Sequence, residues 1–462
     1  MAIIGGAMVP HPPLLIPEVG GGEEAIIEKT TKAYDEAGRR AMALRPETVV
    51  VLSPHSVMYR DYFHISPGAS VAGDFSAFRA GSVGISCEYD EEFVRHLAEK
   101  AQESDFPAGT RGERDPRLDH GTMIPLYFLN RHVEVPFKVV RIGLSGLGLA
   151  DHYRFGTMIR DVAEALDRRV FVVASGDLSH KVRAEGPYGL SEEGPVYDEK
   201  IMEVMGSANF GELMAFPEVF LERAAECGHR SFTIMAGAFD GRDVETKRLS
   251  YEGVTGVGYG VCTYLVSERN DDRRFLARYE ARERAEREVR RAREDDYVAL
   301  ARKSVETYVT TKEACDVPKD LPEEMLNRRA GVFVSLHKDG RLRGCIGTIF
   351  PTTGAIANEI IENGISAATR DPRFQPVEER ELDALEYSVD VLGEIEAVES
   401  IADLDASRYG VIVTRGLKRG LLLPNLDGVD TPEAQIAIAK QKAGIRPNAT
   451  VKLERFEVVR HE

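Results

Sequence analysis

The chain has 462 residues, of which 43% are hydrophobic and 29% charged, a composition typical of a globular protein with two or three domains. Its 59 basic and 76 acidic side chains give a formal net charge of −17. Such a surface repels phosphate backbones, so we expect no binding to nucleic acid. The sequence contains no run of 18 apolar residues and therefore predicts no segment that crosses a membrane.

The five cysteines are widely spaced and include no CxxC pair. This spacing argues against a disulfide framework and against a structural zinc knuckle. The apolar N-terminal segment has no basic region before it and is interrupted by Pro10 and His11, so we do not expect a secretory signal. The expected compartment is the cytoplasm.

Residues 1–266 alternate short apolar runs with amphipathic helical segments. The predicted strands lie at 2–8, 48–52, 137–142, 170–174 and 254–266, and the predicted helices at 23–44, 91–102, 151–168 and 230–239. Buried apolar strands that alternate with helices are typical of an α/β domain with a central, mostly parallel sheet.

The composition changes sharply at residues 267–296, which are rich in Arg, Glu and Ala. Because acidic residues are interleaved with the arginines, we interpret this segment as a charged helical linker and not as a nucleic-acid arm. Residues 297–462 predict a smaller α+β domain. Its predicted helices lie at 297–309, 353–369 and 432–443, its strands at 331–337, 341–348, 387–392 and 410–414, and a turn at 338–340.

Four histidines of the first domain have similar surroundings in the sequence. His11, His55 and His180 each follow a predicted strand, and His120 follows a polar loop. Ligands of open α/β sheets bind beyond the carboxyl ends of the strands, where loops converge on a rigid edge. A single histidine in such a place is usually structural, but three of them indicate a shared site.

A non-haem Fe(II) centre uses two neutral imidazoles and one carboxylate and leaves positions open for substrate and dioxygen. Imidazoles also bind copper and zinc, so iron is the first choice and the other two metals stay open. The third ligand should be Asp, Glu or Cys. Glu226 and Cys227 stand side by side before a predicted buried helix, whose N-terminus favours an anion. Either residue could instead only cap that helix.

The first domain resembles a known family. The segments that carry the resemblance are VPHPPLLIPEVG, LSPHS, DHGTMIPLYFL, SGDLSH and ECGHRSFTIMAGAF. Together they are similar to the motif set of the class III (LigB-like) extradiol dioxygenases and of the related Memo proteins. The resemblance implies that His11 and His55 are metal ligands, that His180 is the acid/base residue and that His120 is a second pocket histidine. It also implies a catechol-like or related small molecule as substrate.

The two families differ in the third ligand. The dioxygenases have a glutamate in this region, which Glu226 would match, and the Memo proteins have a cysteine, which Cys227 would match. Glu226 as ligand favours an iron-dependent, ring-cleaving oxidoreductase. Cys227 favours a Memo-like protein that binds iron or copper without ring cleavage. A zinc hydrolase that uses the same residues is a third hypothesis.

The second domain resembles the AMMECR-type domain through LRGCIGT at 342–348 and ATRDPRFQP at 368–376. Arg343, Cys345 and Arg373 are its candidate site residues, with a packed hairpin as the alternative. The fusion of both domains resembles the AmmeMemoRadiSam system, which implies a radical SAM protein as partner. The chain has no CxxxCxxC motif, so that partner would be a separate protein. An exposed sheet edge or apolar patch could also support a homo-oligomer.

Overall fold

The structure is a computed structural model that describes residues 2–338, 340–426 and 428–462. The chain divides into two compact units, Met1–Glu283 and Arg284–Glu462. The division falls inside the segment that the sequence predicts as a charged linker.

The first unit contains ten strands and nine α-helices among its described residues, counting the α-helix that runs across the division. The strands are β1 (Ile3–Val9), β2 (Thr48–Ser53), β3 (Phe63–His64), β4 (Ser70–Phe75), β5 (Ala80–Glu88), β6 (Ala108–Gly109), β7 (Lys138–Gly143), β8 (Val170–Ser175), β9 (Arg242–Glu252) and β10 (Tyr259–Arg269). The helices are α1 (Pro17–Gly20), α2 (Glu28–Ala43), α3 (Glu91–Glu103), α4 (His120–Asn130), α5 (Leu149–Ala165), α6 (Glu193–Ser207), α7 (Glu218–Ala224), α8 (His229–Ala238) and α9 (Phe275–Arg291).

A six-stranded sheet in the order β7-β2-β8-β1-β10-β9 forms the centre of this unit. Strands β7, β2, β8 and β1 are mutually parallel, whereas β10 and β9 are antiparallel to their neighbours. Strands β1, β2 and β8 are buried along their whole length, and a hydrophobic cluster covers each face of the sheet. The predicted α/β fold with a mostly parallel sheet is confirmed.

The central strands are in register at the edge where they end. Ala174 of β8 lies opposite both Met8 of β1 and Leu52 of β2. Because these three strands are parallel, the loops that follow them leave from the same edge of the sheet.

Several elements of this unit differ from the sequence prediction, which did not include helices α1, α4, α6 and α7. The strand expected at 254–266 begins only at Tyr259, and β9 and the β4–β5 hairpin were not predicted. Strand β9 and the β4–β5 hairpin lack a continuous apolar run, since their side chains are alternately exposed and half-buried for most of their length. A sequence pattern based on buried apolar runs therefore misses them.

The second unit holds two antiparallel four-stranded sheets with helices packed on them. Its helices are α10 (Asp296–Thr311), α11 (Glu323–Asn327), α12 (Ile356–Thr369) and α13 (Pro432–Lys442), and its strands are β11 (Val332–Lys338), β12 (Arg341–Gly347), β13 (Leu385–Leu392), β14 (Glu396–Val398), β15 (Gly410–Arg415), β16 (Lys418–Leu422), β17 (Lys452–Phe456) and β18 (Val458–His461). The sheets have the orders β12-β11-β13-β18 and β14-β17-β15-β16. The predicted α+β fold is confirmed.

The turn between β11 and β12 contains Gly340 at φ +71°, a conformation that suits glycine. The predicted turn also includes Asp339, which lies outside the described residues. Within the described residues, no helix combines the length and the apolar composition that crossing a lipid bilayer requires.

Helices α5 and α8 cross at two glycines, and this crossing lies near the C-terminal end of α8. A Cβ atom on Gly156 would lie 2.0 Å from the carbonyl oxygen of Ile234, and one on Gly237 would lie 2.0 Å from the carbonyl oxygen of Tyr153. Such contacts exclude any side chain at the crossing unless the helices move apart.

We expect Gly156→Ala to lower the free energy of unfolding by roughly 1–3 kcal/mol, because the new methyl group forces α5 away from α8. Gly206 in α6 is a matched control, since a Cβ atom there meets nothing within 4 Å. Gly206→Ala should raise the free energy of unfolding by about 0.5–1 kcal/mol. Urea unfolding of both variants measures this, and an equal response would contradict the tight crossing.

Candidate metal centre

Three polar side chains follow the central strands at the same distance. His11 lies two residues beyond the end of β1, His55 two residues beyond the end of β2, and Asp177 two residues beyond the end of β8. The parallel register of these strands therefore brings the three loops to one edge of the sheet. The backbone N–H of His11 donates a 2.8 Å hydrogen bond to Asp177 Oδ1, which links two of these loops.

His11 and His55 face each other through their Nε2 atoms, which lie 2.9 Å apart. His11 is buried, and its other ring nitrogen, Nδ1, lies 3.0 Å from the hydroxyl of Ser175. That contact fixes the ring and leaves Nε2 as the nitrogen directed at the site. Burial and the neighbouring His55 lower the pKa of His11 to about 3, and desolvation lowers that of His55.

His120 is the first residue of α4 and packs against both of these rings. Its ring centroid lies 4.0 Å from that of His55 and 5.5 Å from that of His11. Asp119 caps α4 by accepting the Thr122 N–H and also accepts a 2.5 Å hydrogen bond from the Ser53 hydroxyl at the end of β2. This link holds the start of α4 against the sheet edge. Burial lowers the pKa of His120 to about 3.

Cys227 reaches the same point from the segment before α8. Its Sγ lies 3.6 Å from His11 Nε2 and accepts a 3.3 Å hydrogen bond from the Asp177 N–H. Two glycines make this approach possible, because a Cβ atom on Gly176 would lie 2.1 Å from the Cα of Gly228. Burial raises the pKa of the Cys227 thiol well above its usual value and that of Asp177 to about 6.

Glu226 has a different contact from its neighbour Cys227. Its Oε2 accepts a 2.6 Å hydrogen bond from the backbone N–H of His229, the first residue of α8. Burial raises the pKa of Glu226 to about 7. His229 itself is fully buried, with Nε2 2.9 Å from the Leu213 carbonyl oxygen, so it is neither a surface residue nor a member of the histidine group.

His180 lies in the loop after β8 and is half-buried. Its ring stacks on the ring of Tyr188 at a centroid distance of 5.3 Å. Burial lowers the pKa of His180, an effect that the nearby Asp177 carboxylate opposes and the His55 ring adds to. His180 is therefore close enough for Asp177 and His55 to affect its pKa. It does not belong to the groups of potential metal ligands around His11.

Among the described residues, two overlapping groups have ligand atoms that all lie within 4.8 Å of one another: His11, His55 and His120, and His11, Asp177 and Cys227. Glu226 belongs to neither group. Imidazoles with lowered pKa values are neutral at physiological pH and have a lone pair free for a cation. Together with a thiol and a carboxyl group, this donor set suits a transition metal.

A cleft of about 750 Å³ opens beside His55 and His120. The β4–β5 hairpin, the loop before α4 and α4 itself form its other walls, which include Phe78, Leu118 and Met123. The ring of Phe78 meets the His120 ring edge-on at a centroid distance of 5.3 Å. The histidine group is thus accessible to a small molecule from this side.

The candidate residues of the second unit are held by local partners. Arg343 donates to both carboxylate oxygens of Glu381, and Arg373 to both of Asp371. The Cys345 thiol lies 3.2 Å from the Ser335 hydroxyl on the paired strand. These contacts give the LRGCIGT segment a role in packing the hairpin.

Comparison with known proteins gives two matches that divide the chain. Residues 5–262 match the family described as "Catalytic LigB subunit of aromatic ring-opening dioxygenase". The chain belongs to this LigB family. Residues 298–461 match the AMMECR1 family. The predicted fusion of a LigB/Memo-like domain with an AMMECR-type domain is therefore confirmed.

The chain is similar to proteins that cover all of it and to proteins that cover part of it. A protein of Clostridium acetobutylicum is 39% identical over 100% of both chains, and a protein of Thermotoga maritima is 50% identical over 37% of this chain and 98% of its own. An uncharacterized protein of Pyrococcus horikoshii of known structure is 33% identical, covering 36% of this chain and 88% of its own, with a TM-score of 0.34. An uncharacterized protein of Escherichia coli is 15% identical, covering 56% and 99%, with a TM-score of 0.37.

The sequence predicts His11, His55, His120 and His180 as site residues but not Asp177 or Ser175, which both contact His11. Asp177 stands in the same SGDLSH segment as His180. The signal that could have found it is its position, since it follows β8 at the same distance as His11 follows β1 and His55 follows β2.

Proposed function

We propose that the LigB domain is a non-haem, metal-dependent oxidoreductase that acts on a catechol-like or related small molecule. The observation that carries the proposal is the 2.9 Å approach of His11 Nε2 and His55 Nε2 at the end of an open cleft. Two neutral imidazole nitrogens that face one point on a rigid sheet edge are suited to hold a cation.

In this proposal His11 and His55 are metal ligands, and Cys227 takes the place that a glutamate has in the dioxygenases. The thiol lies 3.6 Å from His11 Nε2, and Ser175 holds the His11 ring from its other side, as outer hydrogen bonds commonly orient metal-binding histidines. Iron(II) is the metal we expect, with copper or zinc as alternatives. Bound iron(II) would supply open positions for a diol and for dioxygen.

The remaining residues would bind the substrate and move its proton. The apolar walls at Phe78, Leu118 and Met123 fit a flat aromatic ring, and His120 borders the same cleft. His180 has a pKa below its usual value and is therefore neutral near pH 7, so it can accept a proton from a hydroxyl group. Its ring is held by Tyr188.

A second candidate function rests on the identity of the third ligand, which departs from the glutamate of the dioxygenases. Cys227, and not Glu226, belongs to the group of potential ligands around His11. A cysteine in this place favours a Memo-like protein that binds iron or copper without cleaving rings. The fusion with an AMMECR1 domain supports the further proposal that such a protein works beside a separate radical SAM enzyme.

We expect His55→Ala to lose tight metal binding while the fold is kept, because His55 is exposed and contributes little to the core. His96→Ala is the control, since His96 is a partly exposed histidine on α3, outside the candidate site. Metal content per chain, measured after purification without oxygen, compares the two variants, and circular dichroism checks the fold. A full metal equivalent in the His55 variant would contradict the assignment.

Cys227→Ala and Glu226→Gln distinguish the two possible third ligands. Cys227→Ala should weaken metal binding by about tenfold or more. Glu226→Gln should leave the metal in place, because a glutamine oxygen can still accept the His229 N–H that Glu226 now accepts. Competition with a chromogenic chelator measures both affinities. The reverse pattern would make Glu226 the ligand.

The test of the catalytic function is oxygen uptake by the iron-loaded protein with a panel of catechols. We expect uptake with at least one diol, and we expect His180→Ala to keep its metal but to lose about 10²–10⁴ in rate. Iron or copper without uptake would reject ring cleavage and leave the Memo-like function. A zinc protein that hydrolyses esters or amides would reject both. Loss of metal in the His180 variant would make His180 a ligand.

A further inference from the structure

The outer strand β9 leaves one edge of the central sheet open. It is the last strand in the sheet order, and β10 is its only strand partner among the described residues. The carbonyl groups of Arg242 and Asp243 accept hydrogen bonds from Arg273 and Ser267. Between residues 244 and 251, no described hydrogen bond outside the sheet involves the β9 backbone. This stretch therefore presents unpaired backbone groups.

Two opposite charges stand on one face of this strand. Glu245 and Lys247 are both exposed, and Thr246 between them points to the other face, where its hydroxyl donates to the Gly206 carbonyl. Successive side chains of a strand point to opposite faces, so Glu245 and Lys247 share a face. Within the described chain neither forms a salt bridge.

The order of these charges is self-complementary. If a second copy of the strand pairs in antiparallel fashion about a two-fold axis at Thr246, Glu245 of each copy lies opposite Lys247 of the other. The same axis places Val244 opposite Arg248. A parallel arrangement would bring no such pairs together, because identical residues would lie side by side.

We propose that β9 is a dimerisation edge at which two copies of this chain join their sheets through antiparallel pairing about Thr246. The two Glu245–Lys247 pairs set the register. Charged residues on an edge strand normally prevent pairing with other strands. A second copy of β9 is different, because each of its charges lies opposite a charge of the other sign. The β-bulge opposite Val261 and Cys262 ends the regular pairing after Arg248.

The test exchanges the two charges in the full-length protein. Glu245→Lys and Lys247→Glu should each weaken dimerisation by about tenfold or more, because each places like charges opposite one another twice. The double exchange Glu245→Lys/Lys247→Glu should restore the dimer. The two single variants mixed in equal amounts should form a heterodimer, since lysines of one then face glutamates of the other.

Sedimentation equilibrium across micromolar concentrations measures each association. Lys319→Glu is the matched control for Lys247→Glu, since it makes the same change in net charge at an exposed residue of the second unit. Thermal unfolding confirms that each variant is folded. A monomeric wild-type protein would overturn the proposal, as would a dimer that the single exchanges leave intact. If the single variants are monomeric and stay monomeric when they are mixed, the proposed register is wrong.

Discussion

The parallel register of β1, β2 and β8 is the constraint on which the candidate site depends. Ala174 pairs with both Met8 and Leu52, so the three strands end together and their loops leave from one edge. A side chain two residues beyond each end is then brought to a common point without long loops that would have to be ordered. A shift of one residue in any strand would turn its side chains to the opposite face and remove one member of the group.

Close backbone contacts at glycines bring a fourth residue, Cys227, to His11, His55 and Asp177. Gly176 follows β8, and it cannot carry a side chain because a Cβ atom there would lie 2.1 Å from the Cα of Gly228. This contact brings the segment before α8 to the strand edge, and the α5–α8 crossing at Gly156 and Gly237 holds the helix behind it. The conformational freedom of glycine is thus lost at positions where close approach brings Cys227 beside His11.

The sequence predicts most of the sheet because its strands are buried apolar runs, and three strand-end histidines follow from it directly. It does not predict β9 or the β4–β5 hairpin, whose alternating exposure gives no apolar run. It also does not reveal Asp177, because a single aspartate after a strand is common. His120 is a different case, since its approach to His55 depends on the Asp119–Ser53 hydrogen bond, a tertiary contact that no local pattern encodes.

The neighbours Glu226 and Cys227 show why residue type alone could not assign a third ligand. Both precede α8, and a helix N-terminus offers unpaired N–H groups that one side chain must satisfy. The glutamate does this through the His229 N–H, and its longer side chain can fold back on the helix in a way that a cysteine side chain cannot. The cysteine is then left to face Asp177 and His11. Glu226 thus caps the helix and Cys227 contributes to the site, a division that follows from side-chain length and from where α8 begins. This division links the stability of α8 to the composition of the candidate metal centre.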